Sequence, residues 1–186
     1  MLIDLTYFIR EINIGQRSQL EVQENLSYFV ERYEREFLEL TLGYDMANEV
    51  ISASEDLENA TDAMKQLISG DGLWLGLIND SKISPIANYV YWHYTESEVL
   101  QAVGTGVVVP QNENSRIANP TLKLVRAWND MIVMCSKMHK YIIANKSEYP
   151  DYEWRDYGGI CLSEFCKCND PCKKPYVFEI KNTLGL

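Results

Sequence analysis

Two proline-led starts constrain this chain most. Ser84-Pro85 and Asn119-Pro120 each place a capping side chain before a proline, inside the stretch SPIANYVYWHYTESEVLQAVGTGVVVPQNENSRIANPTLKLVRAWNDM. A polar residue followed by proline reads as an N-cap with proline at the first helical position, where its missing N–H removes no helical bond. The spacing predicts one helix from Ser84 to about Ala102 and another from Asn119 to about Asn145, the latter roughly 40 Å long. The second carries the stripe Leu124, Val125, Trp128, Met131, Ile132, Cys135, Met138 and Ile142, one face of a helix and the expected spine of the core.

Residues 103–118, VGTGVVVPQNENSRIA, cannot be absorbed by either helix. Gly104 and Gly106 oppose helix, Val107, Val108 and Val109 favour strand, and Pro110 confines a strand to an edge or an end. A connection of this length inside a compact domain is commonly functional or disordered, and its β-branched, apolar start opposes disorder. The expectation is an inserted β-type arm whose residues Val107, Val108, Val109 and Pro110 contact another subunit. A local hairpin folded on its own domain is the alternative.

Upstream, Leu26, Phe29, Val30, Tyr33, Phe37 and Leu40 recur at three- and four-residue steps and predict a helix from about Ser18 to Leu42, stopped by Gly43. Ser52 and Glu55 fit a capping box, so another helix is expected to start there and to run through Leu57, Met64 and Ile68. Residues 1–17 are apolar in patches and suit an extended arm or short strand. The run LWLGLI at 73–78 is left open between helix and strand. The fold class is therefore mainly α: a bundle of about four helices over residues 1–148, with an arm at 103–118. Residues 149–186, broken by three prolines and Gly158-Gly159, form an irregular C-terminal tail. That tail is expected to dock through Tyr176, Phe178, Ile180 and Leu184.

Charge is placed unevenly. Residues 21–58 hold eleven acids against Arg32 and Arg35, whereas residues 119–148 hold five cations against Asp130 and Glu148. Each set reads either as a solvated helix face or as one of two complementary faces on neighbouring copies. The net charge of −10 disfavours DNA binding through phosphate neutralisation. No window is long and apolar enough for a membrane span, and Asp4 within an otherwise leaderless start argues against a secretory signal.

No phosphate loop, HExxH or GxSxG is present, and Gly104-Thr-Gly106 lacks the third glycine of a dinucleotide site. His93 and His139 both fall in helical patterns; catalysis would require each to meet a convergent carboxylate in a pocket. The expectation is therefore no enzyme and no cofactor. Cys135 reads as core. Cys161, Cys166, Cys168 and Cys172 supply the four thiolates of a closed zinc site, although the one-residue gap between Cys166 and Cys168 departs from paired knuckles. Free thiols and disulfides are the competing readings.

The segments TYFIREINI, NLSYFVERYEREFLELTLGYDMA, SPIANYVYWHY, GTGVVVPQNENS and NPTLKLVRAWNDM resemble head–tail connector (head-completion) proteins of tailed bacteriophages and prophages. The resemblance implies a helical bundle with a β-type arm, repeated in a ring between portal and tail or neck proteins of a virion assembled in the host cytoplasm. DNA would be a passing cargo and no membrane would be involved. The cysteine tail departs from that pattern. A zinc-stabilised protein-binding module with no virion role is the alternative.

Overall fold

A computed structural model describes residues 1–16, 18–99, 101–103, 106–108 and 121–152. Within them the protein is mainly helical: α1 (Leu20–Leu42), α2 (Tyr44–Glu55), α3 (Asp62–Ser69), α4 (Pro85–Val99) and α5 (Thr121–Ala144). Two short strands, β1 (Gln101–Val103) and β2 (Gly106–Val108), pair antiparallel directly after α4. Strands of three residues do not establish an arm, and 104–105 and 109–118 lie outside the described residues.

Helix α4 sets the architecture. Ile86, Ala87, Tyr89, Val90, Tyr91 and Tyr94 are all buried, so its apolar residues run around the helix instead of along one stripe. A helix apolar on all sides belongs in the middle of a fold. It packs against α1 on one side and α5 on the other. The Tyr89 hydroxyl donates to Glu36 of α1 at 2.7 Å, and the Asn88 amide donates to the Ala127 carbonyl of α5 at 3.1 Å. Rings complete the contact: Phe29 meets Tyr94 edge-on at 5.4 Å, and Trp92 lies 5.2 Å from Trp128. The Ser84 carbonyl accepts the Asn88 N–H at 3.2 Å, but the buried Ser84 hydroxyl has no hydrogen-bond partner among the described residues. Its expected side-chain cap is thus not formed.

The N-terminal segment is not an extended arm. Two 3-10 turns, Leu5–Tyr7 and Arg10–Ile12, bury Ile3, Tyr7, Phe8, Ile12 and Ile14 in the core. Glu34, counted above in the acidic stretch, is buried, and its carboxylate accepts from the Leu2 and Ile3 N–H groups at 2.9–3.0 Å. Burial raises its pKa, and the two backbone donors oppose that rise.

Gly43 ends α1 as expected: its N–H returns to the Glu39 carbonyl, with φ 84° and ψ 164°. That region of backbone space is essentially glycine-only. A second helix follows at once, so Ser52 and Glu55 close α2 where a capping box was expected to open a helix. The cap of α3 is Thr61, whose hydroxyl accepts from the Met64 N–H at 3.3 Å. LWLGLI is neither helix nor strand. It folds back over the end of α3, where the Leu67 carbonyl accepts from the Leu77 N–H and the Trp74 indole, and the Ile68 carbonyl from the Ile78 N–H. These carbonyls are among the four that every helix end leaves unpaired. The core also continues past residue 148: Tyr149 donates to the Ala63 carbonyl at 2.7 Å, and Tyr152 is fully buried.

Candidate functional site

The interposed helix α4 gives the molecule two sides of opposite charge. On α1, Phe29, Tyr33 and Phe37 meet α4 rings, while Glu24, Tyr28 and Glu31 are exposed. At 100° per residue the exposed set lies roughly 140–180° around the helix from the packed one. Leu20 extends the exposed row and is 70% accessible; Tyr28 is 56% accessible. Two cations also lie on the exposed side of α1: Arg35, whose guanidinium is engaged by Glu39 at 2.8 Å and by Asn48 at 3.1 Å, and Arg32, which lies 5.1 Å over the Tyr33 ring beside Tyr28. Glu24 and Glu31 make no ion pair among the described residues. Exposed Asp45 and Glu49 extend the acidic surface onto α2.

On α5 the charges reverse. Trp128 faces α4, and Lys123, Arg126 and Lys137 lie roughly 140–180° around the helix from it. They rim a groove of about 580 Å³ between α5, the second 3-10 turn and the segment 75–83. Arg10 and Lys82 complete the rim, and Ile9, Ile12, Ala127 and Met134 contribute apolar lining. Glu11 and Asp130 are the two carboxylates in the groove. Burial holds the Asp130 carboxyl above its usual pKa, Glu11 adds to that, and Arg126 opposes it. Among the described residues, none of the five cations pairs with a carboxylate within salt-bridge distance. Lys82 instead lies 4.5 Å over the Tyr7 ring.

Backbone conformation singles out the same rim. Arg10 and Lys82 adopt φ 56° and 58°, and they are two of the three non-glycine residues with positive φ among those described. Left-handed backbone costs an ordinary residue about 1–2 kcal/mol. Local turns hold both: the Lys82 N–H donates to the Asn79 carbonyl at 3.0 Å, and the Arg10 carbonyl accepts from the Asn13 N–H at 3.3 Å.

Neither histidine lines this groove. His93 stacks on Tyr33 at 3.9 Å, with Tyr89 and Trp92 edge-on at 4.6 and 4.9 Å. Burial depresses its pKa to about 4, against the opposing pull of Glu36. His139 shares a 2.7 Å hydrogen bond between Nδ1 and the Tyr152 hydroxyl, and burial also lowers its pKa. Glu36 is engaged by the Tyr89 hydroxyl. The geometry therefore presents these imidazoles as packed rings. Cys135 is buried in the core, and burial pushes its thiol up to about 12.

Of the residues expected to form an interface, Val107 and Val108 lie in β2, while Val109 and Pro110 fall outside the described residues. Cys161, Cys166, Cys168 and Cys172 and the docking set Tyr176, Phe178, Ile180 and Leu184 also lie outside them. Among the described residues no cluster of His, Cys, Asp and Glu is placed to hold a metal, and no helix is long and apolar enough to cross a membrane.

The basic excess on α5 was legible in the sequence, but Arg10 and Lys82 were not, because they reach the groove from segments distant in the chain. Tyr28 carried a signal: it falls off the apolar stripe of α1. No family model matches this chain, and no curated protein or solved structure matches it.

Proposed function

We propose that this chain is a structural subunit that associates head to tail with copies of itself, as the ring-forming head–tail connector of a phage virion. The observation that carries the assembly reading is the placement of an acidic α1 face and a basic α5 groove on opposite sides of α4. Unlike surfaces turned away from each other produce heterologous contacts, and such contacts close into rings when the rotation allows. Opposite potentials also steer subunits together and fix their register. The connector role, with portal and tail or neck proteins as neighbours and DNA as passing cargo, rests on the sequence resemblance. The Val107–Val108 segment after α4 would supply a further subunit contact.

Native mass spectrometry and sedimentation of the purified chain at low salt test the proposal. The expected result is a closed oligomer of defined copy number that dissociates as salt rises, because surface charge pairs are screened over about 10 Å at 0.1 M ionic strength. A chain that remains monomeric at every concentration overturns it. A monomer carrying stoichiometric zinc would point instead to the protein-binding module.

A further inference from the structure

The α5 groove has the composition of a socket: apolar lining, five cations at its edge and no ion pairs satisfying them among the described residues. The α1 face has the composition of a plug. Tyr28, more than half exposed, stands one helical turn from Glu24 on one side and from Glu31 and Arg32 on the other, and the Arg32 guanidinium donates to its side chain. An amphipathic aromatic side chain flanked by unpaired charges is the usual make-up of an interface anchor with its rim.

Resting on the assembly reading above, we propose that the α5 groove receives the α1 face of a second copy, with Tyr28 of that copy seated in the groove. Glu24 and Glu31 then meet the cations at the rim. Charge complementarity selects this occupant. The groove, with five cations against Glu11 and Asp130, is basic within a chain of net charge −10, and a second copy presents Glu24 and Glu31, without ion pairs among the described residues, on the exposed face of α1. The dimensions agree. Glu24 and Glu31 are about 10 Å apart along α1, within the row from Lys123 to Lys137, which spans about 21 Å along α5. Arg10 and Lys82 face that row across the groove, so carboxylates entering it meet cations on both walls. The same subunit cannot fill its own groove, because α4 separates the two helices and their charged faces turn outward. The contact is therefore heterologous, and each copy offers one plug and one socket.

The test uses the full chain in two variants. R126E/K137E reverses charge at the groove, and E24Q/Y28A/E31Q removes the plug without creating a charge that the reversed groove would attract. All five positions are exposed, so circular dichroism should match the parent, and so should the melting midpoint at dilutions where the parent is itself monomeric. Each variant alone is expected to raise the concentration for half-assembly by at least about tenfold, the change associated with losing one interface anchor. Mixed together, the two should form a one-to-one pair and stop there, since each still carries one intact half of the contact. If both variants assemble as the parent does, the groove–Tyr28 contact is wrong while ring assembly stands. A parent that stays monomeric overturns both proposals. Stoichiometric binding of inorganic phosphate, or of double-stranded DNA, by the parent and not by R126E/K137E, with no mixed pair, overturns the second copy as occupant.

Discussion

Replacing Glu34 by alanine should detach the N-terminal segment from the helical body. Its carboxylate accepts from two backbone donors, the N–H of Leu2 and the N–H of Ile3, and Ile3 is 1% accessible. Leaving a buried donor unsatisfied costs about 1–3 kcal/mol, so two such donors set an upper range of about 2–6 kcal/mol. Burial of the carboxyl, which raises its pKa, returns part of that when the group is deleted. The net expectation for Glu34→Ala is a loss of about 2–4 kcal/mol. Glu34→Gln keeps one acceptor but turns an amide N–H₂ toward a backbone donor, and should lose about 1–2 kcal/mol. Urea denaturation at neutral pH measures the global effect. Hydrogen exchange at the Leu2 and Ile3 amides measures the local one, where protection in the parent should fall in Glu34→Ala before that of α1. An unchanged midpoint together with unchanged amide protection would refute the claim that Glu34 anchors residues 1–14.

Three further outcomes follow from packing and charge. His93 titrates at about 4 when folded and near its ordinary 6.5 when unfolded, so its neutral form stabilises the fold above pH 6.5 and that contribution is lost as pH falls toward 4. Glu34 acts with the opposite sign, taking up its proton more readily when folded, so the His93 effect should be read as the parent-minus-His93→Phe difference in unfolding free energy from urea denaturation. That difference should amount to about 1–2 kcal/mol between pH 6.5 and 4 after screening at a partly exposed ring, and a flat difference refutes the assignment. Trp128→Ala should lose about 3–5 kcal/mol in chemical denaturation, because the indole packs against Tyr89 and Trp92 at 6.2 and 5.2 Å; an unchanged midpoint would mean that it is not core. Gly76→Ala should lose about 2–4 kcal/mol, since φ is +85° and a Cβ would stand 2.6 Å from the Ile68 carbonyl oxygen; a melting midpoint within a degree of the parent would refute the need for glycine there.

Periodicity was sufficient wherever one helix face meets the core along its whole length. The stripes from Leu26 to Leu40 and from Leu124 to Ile142 are buried or half-buried as their spacing implies, and Gly43 and Pro85 mark real boundaries. Local chemistry misled where it competed with packing. Ser52 and Glu55 match a capping box, yet burial of Met46, Ala47 and Val50 carries α2 through them. Only tertiary structure decided the rest, because it depends on groups far apart in the chain. Glu34 is buried because Leu2 and Ile3 return to it across some thirty residues. LWLGLI takes its shape from the unpaired carbonyls of α3. The groove joins Arg10, Lys82 and Arg126 from three segments. The sequence by itself determined which helices have a face to bury and where net charge accumulates. Which faces meet, and that α4 holds the acidic and basic helices apart, follows from the fit of side chains in three dimensions, which no local spacing encodes.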